Sequence, residues 1–223
     1  MISRELKAAY YFLLRWPMRL NGAIYKHLRA PRAGLVKVHL GPGQRKYLPG
    51  WINVDANLLT ARLDLWADLR NPLPFPDNSV DAFYSYHVIE HLPDALLPAH
   101  FRELYRCLKP GGVIRIGGPS ADSAIQKFLA GDAAWFSDFP DSRRSVGGRL
   151  ANFLLCRGEH LSILTFSYLE ELATDAGFRE ISICKPHYQT RFGPLMDPAL
   201  LASEEETPQD PPMTLIIEAK KPG

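Results

Sequence analysis

The sequence predicts an α/β fold built on a mostly parallel sheet, and three observations carry that expectation. From residue 35 onward, short apolar runs alternate with segments of helical spacing. Gly and Pro clusters fall between them and punctuate the alternation. The chain has 223 residues, 46% hydrophobic and 22% charged, which is enough for one domain with a core of its own. Strands alternating with helices imply a sheet covered on both faces.

The elements follow in order. Leu35–Leu40 reads as a strand that stops at Gly41-Pro42-Gly43. Trp51–Asp55 is a second strand and ends on an acid, Leu63–Ala67 is a weaker third, and Val80–Ser85 is a fourth. Phe101, Leu104, Tyr105 and Leu108 recur at helical spacing, which predicts a helix over 98–108 that Lys109-Pro110-Gly111-Gly112 ends. Val113–Gly117 is a fifth strand, Phe166–Ala176 a helix closed by Gly177, and Phe178–Cys184 and Met213–Ala219 the last two strands. Residues 41–51 are near the minimum for a parallel crossover, and 68–79 are rich in Pro and Asn. One or two helices are therefore expected to be replaced by loops. Segments 119–165 and 186–212 fit the sheet poorly and read as lid or substrate insertions.

Composition excludes long disorder, fibrous repeats and a disulfide framework. The three cysteines, Cys107, Cys156 and Cys184, contain no CxxC and read as reduced thiols of a cytoplasmic protein. The longest apolar run near the N-terminus, Ala8–Leu14, is too short to span a bilayer and carries no cleavage-site pattern. The formal net charge of +2 hides an asymmetry. Residues 1–34 hold seven Lys/Arg against Glu5, a net of +6, whereas 35–223 are net −4.

Gly41 and Gly43 directly follow a strand, where glycine lets backbone approach a ligand. The next strand ends in Asp55, and a carboxylate at that edge can accept bonds from ribose hydroxyls. A cap on the following turn is the other reading of Asp55. Together these residues suggest an adenosine-type ligand lying across strand ends.

The stretch VHLGPGQRKYLPGWINVDANLL, followed by LDLWADLRNPLPFPDNSVDAFYSYHVIEHL and ELYRCLKPGGVIRIGGPS, resembles the class I S-adenosylmethionine-dependent methyltransferases. It is most similar to small members with LGCG, PGW.N.D, DL..PLPF, HV.EHL and LKPGG motifs. The likeness is strong over 36–120 and looser through Gly158-Glu159-His160, Ala176-Gly177-Phe178 and Leu215–Lys221. Pro42 stands where the family often has Cys. The resemblance implies a Rossmann-like, doubly wound, seven-stranded sheet with an N-terminal helical arm, residues 1–34, and S-adenosylmethionine as cofactor. Gly41 and Gly43 would then pass under its methionine part and Asp55 would hold the ribose. Asp68 and Leu69 would meet the adenine, and Tyr86 or His87 would line the floor near the sulfonium.

His87, Glu90 and His91 have the spacing of one face of a helical turn, and His160 follows Arg157-Gly158-Glu159. Three readings stay open. Glu90 and His91 are structural caps, or His87 or His160 is a general base, or His87, Glu90, His91 and His160 hold a divalent metal. The last set resembles the metal sites of small-RNA 2′-O-methyltransferases and quinone O-methyltransferases, with His87 in place of the first Glu. Three imidazoles and a carboxylate suit zinc, cobalt or iron better than magnesium. Trp135-Phe136 reads either as an aromatic lid or as packing, and Arg143-Arg144 either as an anion contact or as a solvated pair. His187, Tyr188 and Arg191 receive no role.

The expected function is methyl transfer to an O or N atom of a small-molecule, sugar or lipid-linked acceptor. A non-catalytic methyltransferase-like scaffold is the rival from another class. An RNA methyltransferase is disfavoured by the acidic body. In the basic arm, Tyr10–Leu14, Trp16, Leu20, Ile24 and Tyr25 interleave with cations. A helix there either packs over the site or lies peripherally on an anionic membrane.

Overall fold

The strands are β1 Lys37–Leu40, β2 Ile52–Asp55, β3 Leu65–Trp66, β4 Val80–Tyr86, β5 Leu108–Pro119, β6 Arg179–Cys184 and β7 Thr214–Lys220. They form one seven-stranded sheet in the order β3-β2-β1-β4-β5-β7-β6. Pairs β1–β2, β2–β3, β1–β4 and β4–β5 are parallel, and β7 is antiparallel to both β5 and β6. The computed structural model describes residues 4–31, 33–44, 46–187, 189–204, 206 and 208–223. Tyr188 lies outside the described residues, as do positions 1–3 and 32 of the basic arm.

The expected strands and helices recur close to their places. Helix α1 is Arg4–Ile24, α2 Leu97–Cys107, α3 Ala121–Leu129, α4 Val146–Leu155, α5 Phe166–Ala176 and α6 Pro198–Ala202. Among the described residues no α-helix lies between β1 and β4: the β1–β2 link is near the minimum for a crossover, and 68–79 is broken by Pro72, Pro74 and Pro76. One expectation needs correcting at Lys109–Gly112. Helix α2 stops at Cys107, and the Pro-Gly-Gly run is already strand. Lys221 decides this: its Nζ donates to the carbonyls of Tyr105 and Leu108 at 2.9 and 2.8 Å, and its backbone pairs with Gly111 and Gly112.

The two faces of the sheet are covered differently. On one, Leu97, Phe101 and Leu104 of α2 and Leu169 and Leu172 of α5 pack on Val38, Phe83, Ile114 and Ile217. The other carries Ala82, Tyr84, Tyr86, Val113 and Ile216, packed by Leu48, Trp51, Met196 and Leu200. That cover comes mostly from segment 186–204, so this part of the expected insertion is a wall of the core. The second insertion, α3 to α4, packs its own small cluster around Trp135 and Phe136, which are 4% and 3% exposed. Packing, not a lid, is what those two rings do here.

Segment 186–204 is held by a buried charge network. Arg115, in the middle of β5, and its partners Glu204 and Glu218 are all 0% exposed. Arg115 donates from Nε and Nη2 to the two Glu204 oxygens at 2.6 and 2.7 Å. Its Nη1 donates to Glu218 Oε1 at 2.7 Å and to the Gln189 carbonyl at 2.9 Å. The backbone N–H of His187 and that of Arg191 complete the two carboxylates at 3.0 and 2.8 Å. Removing one member of such a network leaves uncompensated buried charge. Arg115→Met is expected to lower unfolding free energy by about 3–5 kcal/mol, measured by equilibrium denaturation. A loss under about 1 kcal/mol would show that the network does not hold this face.

Candidate functional site

In the strand order, β1 and β4 are the neighbours at which the direction of chain progression reverses. Ligands of open α/β sheets sit outside the carboxyl ends of the strands at such a switch point. Gly41–Gly43 leaves β1 there, and His87–His91 leaves β4 there.

Gly41 has φ +71°, and a Cβ on it would sit 2.4 Å from Val88 Cγ2. Its N–H donates to the Val54 carbonyl at 2.8 Å. Gly43, at φ +56°, has open space where a Cβ would stand. Asp55 holds the turn from the neighbouring strand: Oδ2 accepts the Gly43 N–H at 3.0 Å, and Oδ1 accepts the Asn57 N–H at 2.8 Å. Both readings of Asp55 are therefore compatible. The carboxylate caps its own turn, and each oxygen keeps further acceptor capacity.

Helix α1 crosses the ends of β2 and β3. Tyr10 donates its hydroxyl to the Ala56 carbonyl at 2.7 Å, Asn21 donates to the Trp66 carbonyl at 2.8 Å, and Arg19 donates to Asn71 Oδ1 at 2.9 Å. Asp68 is held through Arg70, which donates from Nε at 2.9 and 3.1 Å and from Nη2 at 2.7 Å. The Arg70 guanidinium lies 3.7 Å from the centre of the Tyr11 ring. Asp68 borders an open cleft of about 330 Å³ between α1 and the loop after β3. Its carboxylate thus stands at the expected place but already serves Arg70. Arg70 and Tyr11 are contacts that sequence reasoning missed, because nothing local to Asp68 announces a ring delivered from residue 11.

Tyr86 is buried at the end of β4. The Lys46 ammonium lies 4.5 Å from its ring centre, so this ring already faces a cation. His87 adopts φ +56° and places Nε2 3.1 Å from Thr214 Oγ1. Its Nδ1 is 3.3 Å from Glu90 Oε1, and His91 Nε2 is 4.0 Å from the same oxygen. Only a single 3₁₀ turn, Ile89–His91, forms here, without the side-chain helix cap considered for Glu90 and His91. The histidines nevertheless gather round Glu90, as their spacing suggested. Glu90 is 1% exposed. Burial pushes its carboxyl pKa up, but His87 and His91 outweigh that and hold it below the ordinary carboxylate range. His160 joins from the segment after α4, and burial lowers its pKa. His91 and His160 stack edge to face at 5.1 Å.

Arg143 lies 3.6 Å from Asp141, and Arg191 pairs with Glu180 at 3.3 Å, so each has an acidic neighbour. Thr214, which touches both Tyr86 and His87, was not singled out in the sequence and carries no local signal.

Comparison with known proteins agrees with this geometry. Residues 22–116 match the family model described as a methyltransferase domain. A stretch of 72 residues is 38% identical to the sterol 24-C-methyltransferase erg6 of Aspergillus fumigatus. It covers 32% of this chain and only 16% of that protein. Among solved structures, a SAM-dependent methyltransferase from Archaeoglobus fulgidus is similar with a TM-score of 0.53 at 16% identity, over 95% of this chain and all of that one. A SAM-dependent methyltransferase from Thermotoga maritima gives 0.52 at 17% identity, over 96% and 94%. The fold is the one those S-adenosylmethionine-dependent methyltransferase structures share, and residues 22–116 match the methyltransferase-domain model.

Gly41→Ala requires both a strained φ and displacement of Val88, whereas Gly43→Ala requires only the strain. The first is expected to lower stability by about 2–4 kcal/mol and the second by about 1 kcal/mol, read from thermal or denaturant unfolding. Equal losses would contradict the close approach of Val88.

Proposed function

We propose that the chain transfers a methyl group from S-adenosylmethionine to an O or N atom of a small-molecule, sugar or lipid-linked acceptor. The observation that carries this reading is the cradle at the switch point. Asp55 ties Gly43 to the neighbouring strand while keeping acceptor capacity, and Gly41 leaves no room for a side chain. These residues fit a nucleoside whose ribose needs a carboxylate and whose amino-acid tail needs close backbone approach.

In this reading Asp55 accepts the ribose hydroxyls, and the Gly41–Gly43 backbone lies under the methionine part. Asp68, held by Arg70, and Leu69 face the adenine. Tyr86 presents an aromatic face toward the sulfonium, as it already does toward Lys46. Methyl transfer is an in-line displacement in which the methyl passes to the acceptor and the sulfur keeps its bonding pair. The protein's main task is alignment. His87, 39% exposed beside Thr214, would take the proton that an O or N acceptor gives up. A binding module without catalysis remains the rival, and the two separate on turnover alone.

Calorimetric titration with S-adenosylhomocysteine tests the cofactor. Micromolar binding is expected, weakened at least about tenfold in Asp55→Ala, which removes charge-assisted hydrogen bonds. No binding at high micromolar concentration would overturn the reading. Binding without any methyl release to candidate acceptors would favour the binding module.

A further inference from the structure

We propose that Glu90, His91 and His160 form a binding site for a borderline divalent cation of the zinc type, with His87 beside it. Each of the three offers a ligand atom, and these atoms all lie within 4.8 Å of one another. The tautomers favour a cation. His91 Nδ1 is 2.9 Å from the Glu159 carbonyl, and His160 Nδ1 is 3.1 Å from the Leu154 carbonyl. A carbonyl only accepts, so in both neutral rings Nδ1 carries the hydrogen and Nε2 the lone pair. Backbone carbonyls fix metal-ligating histidines in the same way.

The third ligand is the telling one. Both Glu90 oxygens are buried, and no donor meets them with hydrogen-bond geometry. His87 Nδ1 lies 3.3 Å from Oε1, and a carboxylate that also faces two imidazole lone pairs inside the protein is stabilised by positive charge between them. A tetrahedral zinc site would place ligand atoms ~3.3 Å apart, given metal–ligand distances near 2.0–2.1 Å, so atoms now within 4.8 Å of one another need to close by at most about 1.5 Å. Two imidazoles and one carboxylate leave a fourth position open, as zinc sites that bind an exogenous ligand do.

The test is cobalt titration of chelator-treated, full-length protein, read by visible absorption and by metal content after dialysis. One equivalent per chain with a low-symmetry N/O band is expected. His91→Ala and Glu90→Gln should each weaken retention more than about tenfold. His91 is 45% exposed, so its variant reports on ligation without disturbing the core. Absence of retained cobalt, or equal retention in both variants, would overturn the site. The readout does not involve the cofactor, so it stands or falls apart from the methyltransferase reading.

A separate observation carries a second proposal. Helix α1 packs by one face, with Met18 2% exposed, while Phe12, Leu13, Trp16 and Leu20 stand 74, 70, 65 and 63% exposed on the other. Arg15 and Arg19 lie over the Trp16 ring at 5.3 and 5.5 Å, and the first 34 residues are net +6. We infer that this face docks on an anionic lipid surface. The cations meet headgroups and the rings enter the interface, next to a site that would accept a lipid-linked substrate. No helix among the described residues is long and apolar enough to cross a membrane, so the contact would be peripheral.

Vesicle sedimentation distinguishes the occupants. Wild-type protein is expected to pellet with vesicles containing phosphatidylglycerol, less so in high salt, and weakly with phosphatidylcholine alone. Phe12→Glu/Trp16→Glu/Leu20→Glu should abolish pelleting with an unchanged melting temperature. Equal pelleting of the two proteins would reject the face as a membrane contact. So would self-association of the wild type that the variant abolishes, in the absence of vesicle binding, since a second copy would then be the occupant.

Discussion

The buried Arg115 network is the constraint on which the rest of this architecture depends. The links between β1 and β4 hold no α-helix among the described residues, so one sheet face has no regular cover. Arg115, fully buried in β5, draws Glu204 and the Gln189 carbonyl onto that face and also pairs with Glu218. Apolar Met196 and Leu200 then seal it. Such networks add specificity only when every member is satisfied. Here both carboxylates are also met by backbone N–H groups. The strand ends are thereby freed from structural duty and can be shaped by short loops.

Those loops make the site. Parallel β1, β2 and β4 deliver Gly41, Asp55 and Tyr86 to one edge, and Asp55 locks the glycine turn across strands. Helix α1 spans the ends of β2 and β3 and fixes the Asp68 loop through Arg70 and Tyr11. One face of that helix thus belongs to the body while its opposite face stays in solvent. The charge imbalance between arm and body has a structural expression: the strand-end loops carry Asp55 and Asp68, and the exposed helix face carries Arg15 beside Trp16.

Much of this was legible in the sequence. Period and punctuation predict α2, α5 and the strands other than β5 to within about two residues, because local hydrophobic patterning and Gly/Pro breaks specify them, whereas β5 already begins at Leu108. Asp55 and Gly41 were legible because strand-end position alone gives them a role. The clustering of His87, Glu90 and His91 was legible from spacing, although the backbone is a 3₁₀ turn with His87 in the left-handed region. What sequence could not show is tertiary. Arg70 bridging Asp68 to Tyr11, Val88 pressed on Gly41, Thr214 beside His87, and Arg115 joined to Glu204 across 89 residues depend on chain segments meeting in space. Segment 186–204 read as an insertion because its charges look solvated until Arg115 is seen beneath them.

The central claim is that the edge formed by Gly41–Gly43, Asp55–Asn57 and Asp68–Leu69 is one cofactor-binding surface. Hydrogen exchange of the full-length protein with and without S-adenosylhomocysteine addresses it most directly. Slower exchange confined to backbone amides 41–44, 55–58 and 67–71, with the α2 and α5 amides unchanged, is the expected result. Slowing elsewhere with those three loops unaffected would contradict the claim.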